Sequence, residues 1–246
     1  MDIEWIGTGA GLNVALGNTA FLVKGGLSDG KRRTLLVDCG FTVPPELLRS
    51  GQLEEVTDIV LTHNHADHIG GLESLGFMNY FVYMKRPNLY VGSDAFARAL
   101  WDYSLKGGMQ KLQDNENRPF DGTLDTFFNV HTGRHVTIPG MPIATLFPTQ
   151  HVQGMEAYGV SFANGVWYSG DSIELPDKNA DVIFQDCQFY ETKTDVHISY
   201  DKLKRELPPD VRAKVHLVHL GGGWDKKDPK ADGFAGFVKP RDTFHF

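Results

Sequence analysis

Cysteine is scarce in this chain: Cys39 and Cys187 are the only two. One disulfide is the most they could form, and no C-x-x-C pair is present for a thiolate metal site or a redox motif. A reducing cytoplasm is therefore the expected compartment. Basic charge is also short, since 24 Lys+Arg against 31 Asp+Glu leaves a net −7. A net anion does not hold the polyanionic nucleic-acid backbone by general attraction, so bulk DNA or RNA binding is not expected. Long apolar runs are missing too, none approaching the ~18 residues of a spanning helix. The opening Met1-Asp2-Ile3-Glu4 lacks the basic-then-apolar pattern of an export signal. No membrane partner is expected. There is no internal repeat, low-complexity tract or linker, so residues 1–246, with 41% hydrophobic and 22% charged side chains, read as one domain with a sizeable core.

Short strands are predicted over 3–6, 19–24, 34–38 and 57–62, where β-branched and apolar residues lie between Gly, Asp and Pro. After Ser93 as N-cap, residues 94–106 place Phe96, Leu100 and Tyr103 along one side of a helix, with Gly107 and Gly108 as its stop. The stretch 109–126 is polar and aperiodic, contains Pro119 and Gly122, and predicts a mobile loop. Further strands are predicted over 135–138, 143–147, 158–163, 166–169, 182–185 and 215–220, with a helix over 199–206. Many strands with interspersed helices point to two sheets covered by helices.

What the chain has in quantity is histidine, ten of them, several in one place. In Thr62-His63-Asn64-His65-Ala66-Asp67-His68 the preceding residues are a strand. Residues two apart in an extended segment face the same way, so His63 and His65 can share one ion. Asp67 and His68, at the start of a helix, would then face a second position. An H-x-H-x-D-H match arises by chance in a chain of this composition roughly once in 700, which favours metal binding over an exposed polar loop. Imidazole suits zinc and its neighbours, and carboxylate adds tolerance for manganese. Strand ends elsewhere supply further ligands: His151 after Phe147-Pro148-Thr149-Gln150, Asp171 in Ser169-Gly170-Asp171, and His219 at the end of Val215-His216-Leu217-Val218-His219. Strand alternation separates His216 from His219, and the strand-end position selects His219.

This order of motifs resembles the metallo-β-lactamase fold superfamily over essentially the whole chain. Ile6-Gly7-Thr8-Gly9, Leu36-Val37-Asp38-Cys39-Gly40 and Thr62-His63 are similar to its phosphodiesterase branch, which includes ribonuclease Z. The resemblance implies an α+β fold, a four-layer αββα sandwich. It implies two divalent ions per chain, zinc or alternatively manganese, with His63, His65 and His151 on one, Asp67, His68 and His219 on the other, and Asp171 bridging. Asp67 also counts among the catalytic groups.

Within that fold the chemistry must come from the site. Two ions sharing an aspartate suit hydrolysis, because they can activate water and clamp the oxygens of a phosphoryl group. The 47 residues between Asp171 and His219 are too few for the added domain of the DNA-processing nucleases, and the 27 after His219 too few for the helical domain of glyoxalase II. That interval holds Asp186-Cys187 and Thr194-Asp195-Val196-His197, similar to the pattern in which a histidine acts beside the metals. His197 is the candidate general acid, against the alternative of a surface histidine near the 199–206 helix. Residues 76–126 carry Lys85, Arg86, Arg98, Lys106, Lys111 and Arg118, but also Glu116 and five aspartates, unlike a tRNA-gripping arm. The chain looks more similar to the small phosphodiesterases of 3′,5′-cyclic mononucleotides, which include the phage anti-Pycsar enzymes acting on cyclic CMP and cyclic UMP. A ribonuclease Z-like tRNA endonuclease and a mononuclear iron sulfur dioxygenase are the alternatives. Such phosphodiesterases are homodimers, and 101–121 is the expected interface element, although Trp101 in its own core would look the same in the sequence.

Overall fold

A computed structural model describes residues 1–28, 30–114, 116–190 and 195–246. Thr194 of the Thr194-Asp195-Val196-His197 segment lies outside the described residues.

Burial alternates along Asp2–Gly7, with Ile3 and Trp5 inward, because that strand has one face on the core. Asp58–Val60 is buried at all three positions, as a strand covered on both faces must be. From such segments the chain builds two seven-stranded sheets. The first runs Thr243–His245, Asp2–Gly7, Ala20–Ser28, Lys31–Val37, Asp58–Val60, Asn88–Val91, Asn129–Thr132. The second runs Gly236–Phe237, Val215–Val218, Val182–Asp186, Val166–Tyr168, Tyr158–Phe162, Ala144–Pro148, His135–Val136. Each sheet is antiparallel in one half and parallel in the other.

The sheets pack face to face through an aromatic cluster. Trp5 and Phe21 of the first sheet meet Tyr168 and Phe184 of the second, with ring centroids of 5.1 Å for Trp5–Phe184 and 5.2 Å for Phe21–Tyr168. Helices cover the outer faces. Tyr200–Glu206 and Pro209–Arg212 bury Leu203 and Val211 against Ile183, Val215 and Leu217 of the second sheet. Val43–Arg49 and Leu72–Phe77 bury Val43, Leu47, Leu72 and Leu75 with the first. The result is a four-layer αββα sandwich. Main-chain bonds stitch the sheets at one end of their strands: Tyr158 N–H donates to Thr62 O (3.0 Å) and Leu220 N–H to Thr8 O (2.8 Å). Among the described residues no helix is long and apolar enough to cross a membrane.

Two sequence expectations are corrected. Gly107 and Gly108 do not stop the helix that starts at Asp94. It continues through a π-helical segment, Trp101–Leu105, into Lys106–Met109. A Cβ at Gly108 would meet only the Glu73 carboxylate, the mobile end of a half-buried side chain. Nor is 109–126 without structure. Lys111–Gln113 and Pro119–Asp121 pair antiparallel, held by Lys111–Asp121 (2.6 Å) and Arg118–Asp114 (2.7 Å), and Leu124–Phe127 is a helical turn with a Thr123/Thr126 capping box. Three-residue strands are too short to show a period.

Trp5 is fully buried between the sheets. Replacing it by Ala should cost about 3–5 kcal/mol, the usual range for emptying an aromatic core position. Urea unfolding of the purified protein measures this, and a loss below about 1 kcal/mol would contradict the packing described.

Candidate metal centre

Strand ends position the polar residues. After Asp58–Val60 the chain leaves the first sheet, and His63 is fully buried. His65 stands at the N-cap of Ala66–Ile69, whose first turn holds Asp67 and His68. His151 follows Ala144–Pro148 of the second sheet, Asp171 follows Val166–Tyr168, and His219 follows Val215–Val218. Gly170 makes the Asp171 turn with φ 58°, and any Cβ there would strike the Tyr158 carbonyl oxygen. His219 lies beyond its strand with φ 57°, so the alternation that separates His216 from His219 stops short of it and the left-handed backbone redirects its ring.

All seven residues named from the sequence meet here, in two groups sharing Asp171, and a third group brings Asp171 and His219 together with Asp186 and His197. His65 Nδ1 lies 3.0 Å from His63 Nε2 and 3.1 Å from His151 Nε2, with Asp171 Oδ2 3.5 Å from the first and 3.7 Å from the last. In the other group, His68 Nε2 lies 3.3 Å from Asp171 Oδ1 and 3.6 Å from Asp67 Oδ2. His219 Nε2 lies 3.3 Å from that Asp67 oxygen and 3.6 Å from Asp171 Oδ2.

Several outer contacts aim lone pairs inward. His68 Nδ1 donates to Asp38 Oδ2 (2.9 Å) and His151 Nδ1 to the Val196 carbonyl (2.6 Å). The Thr62 hydroxyl donates to Asp38, which leaves its oxygen to accept from His63 Nδ1 at 3.1 Å. With Nδ1 carrying the proton in each ring, Nε2 presents a lone pair to the centre, as metal-ligating histidines do. His68 Nε2 and Asp171 Oδ1 are buried and face each other at 3.3 Å out of line for a hydrogen bond, with no other hydrogen-bond partner among the described residues. Buried polar atoms are rarely left so, and the donor set of imidazoles and carboxylates fits divalent ions such as zinc. Burial alone would raise the Asp171 and Asp67 carboxyls, but the surrounding imidazoles, His219 foremost, hold both below the usual carboxylate range. Burial holds His63 well below the usual histidine range, whereas at His68 the Asp171 and Asp38 carboxylates, and at His219 those of Asp171 and Asp186, outweigh burial and push the imidazole up.

His197 stands beside the second group. Its ring stacks on His219 at 4.9 Å, and its Nδ1 bonds Asp186 Oδ2 at 2.7 Å. Burial would lower its pKa, yet the Asp186 carboxylate outweighs that and raises it. A cavity of about 720 Å³ opens over His65, Asp67, Asp171, His197 and His219, walled by Leu12, Tyr190, Trp224 and Asp225. Sequence reasoning assigned no role to Asp38 or Asp186. Both are acids closing apolar strands, and both are buried, a combination that costs too much without a partner to be incidental.

Residues 1–244 match the family model described as anti-Pycsar protein Apyc1. The chain is 31% identical over 252 residues to the anti-Pycsar protein Apyc1 of Paenibacillus harenae, with 99% of both chains covered. It is 32% identical over 248 residues to that of Bacillus phage 010DV004, covering 94% of this chain and 93% of the relative. Among solved structures, the metallo-β-lactamase fold protein YhfI from Bacillus subtilis superposes with a TM-score of 0.71 at 19% identity, covering 99% of each chain.

The paired groups predict about two divalent ions per chain in the purified protein, counted by elemental analysis. Asp171→Ala should lower that count and abolish hydrolysis, and so should His65→Ala. A fully active protein without metal would refute this assignment.

Proposed function

The chain belongs to the anti-Pycsar Apyc1 family, and on that premise we propose that it is a metal-dependent phosphodiesterase. Its substrates are 3′,5′-cyclic mononucleotides such as cyclic CMP and cyclic UMP, and its products nucleoside monophosphates. The observation that carries this reading is the meeting, in one cavity, of two imidazole and carboxylate groups that share Asp171 with a histidine outside the two metal-ligand sets drawn from the sequence. A volume of about 720 Å³ suits a single nucleotide.

His63, His65, His151 and Asp171 would hold one ion, and Asp67, His68, Asp171 and His219 a second. Such ions, zinc or manganese, supply water activation near neutral pH and neutralise phosphoryl charge. The chain's own residues do the rest. The Nδ1 of His197 is committed to Asp186, so Nε2 is the nitrogen that gives a proton to the departing ribose oxygen as the P–O bond breaks. Leu12, 95% exposed, and Tyr190, 56% exposed, offer apolar surface to the sugar and base. This activity would remove a cyclic pyrimidine nucleotide signal inside a cell, which places the protein in the cytoplasm, the host's if the chain is viral.

We take the working form to be a homodimer with 101–121 at the interface. Trp101 packs partly on its own core, whereas Tyr103 is 88% exposed on the same segment. The protein should therefore elute as a dimer, and Tyr103→Ala should weaken the dimer more than it lowers monomer stability. A monomer at micromolar concentration with full activity would remove that segment from the mechanism.

For the chemistry, His197→Ala should lose roughly 100 to 10,000-fold in rate on a cyclic mononucleotide while keeping its metals. The loss should shrink with a nitrophenyl phosphodiester, whose leaving group needs no proton. Equal losses on both substrates would make His197 a structural residue. Ready cleavage of precursor tRNA with cyclic nucleotides untouched would replace the substrate proposed, and oxygen uptake with one bound iron would replace the reaction.

A further inference from the structure

Asp186 closes the Val182–Asp186 strand and is fully buried, yet its two oxygens face two different histidines. Oδ2 accepts from His197 Nδ1 at 2.7 Å and from the Ser172 backbone N–H at 3.0 Å. Oδ1 lies 3.1 Å from His219 Nδ1, an ion-pair contact oblique to the line of a strict hydrogen bond. The main chain that carries the carboxylate is anchored in turn, because the Asp186 backbone N–H donates to Ser169 Oγ at 2.8 Å. The two rings it faces stack with only 29° between their planes.

We propose that Asp186 is a positioning residue that couples the acid to the metal centre, one carboxylate holding His197 and His219 together in the tautomer and orientation that turn both Nε2 atoms toward the cavity. The inference rests on the hydrolytic reading above. A carboxylate accepts at both oxygens, whereas an amide accepts at one and donates at the other. Asp186→Asn therefore sets an N–H against the N–H of one ring. That ring must rotate or move its proton to Nε2. If it is His197, the acid is misplaced. If it is His219, a metal lone pair is lost. The Ser172 N–H also donates to Oδ2, so the amide oxygen is favoured on that side and the amide N–H is set against His219 Nδ1, while His197 keeps only a neutral acceptor in place of the carboxylate. An aspartate with a merely structural role would instead affect melting temperature and reduce every activity alike.

The test uses the full chain, with zinc affinity measured by chelator competition, rates on a cyclic mononucleotide and a nitrophenyl phosphodiester, and thermal melting. Asp186→Asn should weaken zinc binding about 10 to 100-fold, the usual effect of losing a partner behind a ligating histidine. It should also slow the cyclic nucleotide by roughly 100-fold or more, and the nitrophenyl ester by less. Asp186→Glu, which keeps both acceptors, should recover part of both losses, and it decides the matter by the same two readouts if the asparagine variant does not fold. His197→Ala should retain zinc affinity. Unchanged zinc affinity in Asp186→Asn, or equal slowing of both substrates, would overturn the proposal. If the unaltered protein cleaves no cyclic mononucleotide, the functional reading falls by itself, and zinc affinity alone judges Asp186.

Discussion

The rest of the molecule is arranged around one costly group, the buried carboxylate of Asp171. An anion only 2% exposed cannot remain in a protein interior without compensation. Here the compensation comes from His63, His68, His151 and His219, whose Nε2 atoms all lie within 3.7 Å of its oxygens. Those histidines leave the ends of strands in both sheets. The sheets must therefore be held in register with each other as well as within themselves, and the Tyr158–Thr62 and Leu220–Thr8 main-chain bonds do this beside the site. The aromatic cluster of Trp5, Phe21, Tyr168 and Phe184 fixes their separation.

Much of this was legible in the sequence because chemistry-bearing residues were close in the chain or followed apolar strands. His63, His65, Asp67 and His68 fall in six residues, and Gly170 before Asp171 marks a turn that tolerates no side chain. The strands of the two sheets were legible from their β-branched runs, although Asn88–Val91 and the short C-terminal strands Gly236–Phe237 and Thr243–His245 were not, being too brief to show a period. Helix Val43–Arg49 was not read from the sequence, although Pro44 and Pro45 at its start suit the first turn of a helix. His219 was selected at the strand end, but the alternation argument did not reach it, since a left-handed residue resets the direction of the chain. The roles of Asp38 and Asp186 depend on contacts across 30 and 11 residues respectively, which no local pattern reports.

The division of labour between carboxylates follows from which ring nitrogen each one faces. Asp171 and Asp67 face imidazole nitrogens in the inner groups, while Asp38 and Asp186 lie behind them and take the other ring nitrogen. Each inner histidine of the second group is thus flanked by acids on both sides, so its ring has one orientation available. Local opening of either sheet at the strand ends that carry these residues would break both groups together, which ties the order of the site to the stability of the whole sandwich.

Two of the residues that build the site, Asp38 with φ 62° and His219 with φ 57°, hold a left-handed backbone that side chains other than glycine adopt at a cost. What the site gains from them is a carboxylate on His68 and an imidazole in the second group. In a lineage released from the need for activity, positions 38 and 219 should be among the first to drift to Gly or Asn, gaining stability as they do. An aspartate and a histidine retained at these two positions in a divergent homologue would accordingly be a sign that its centre is still in use, even where the cavity walls have changed.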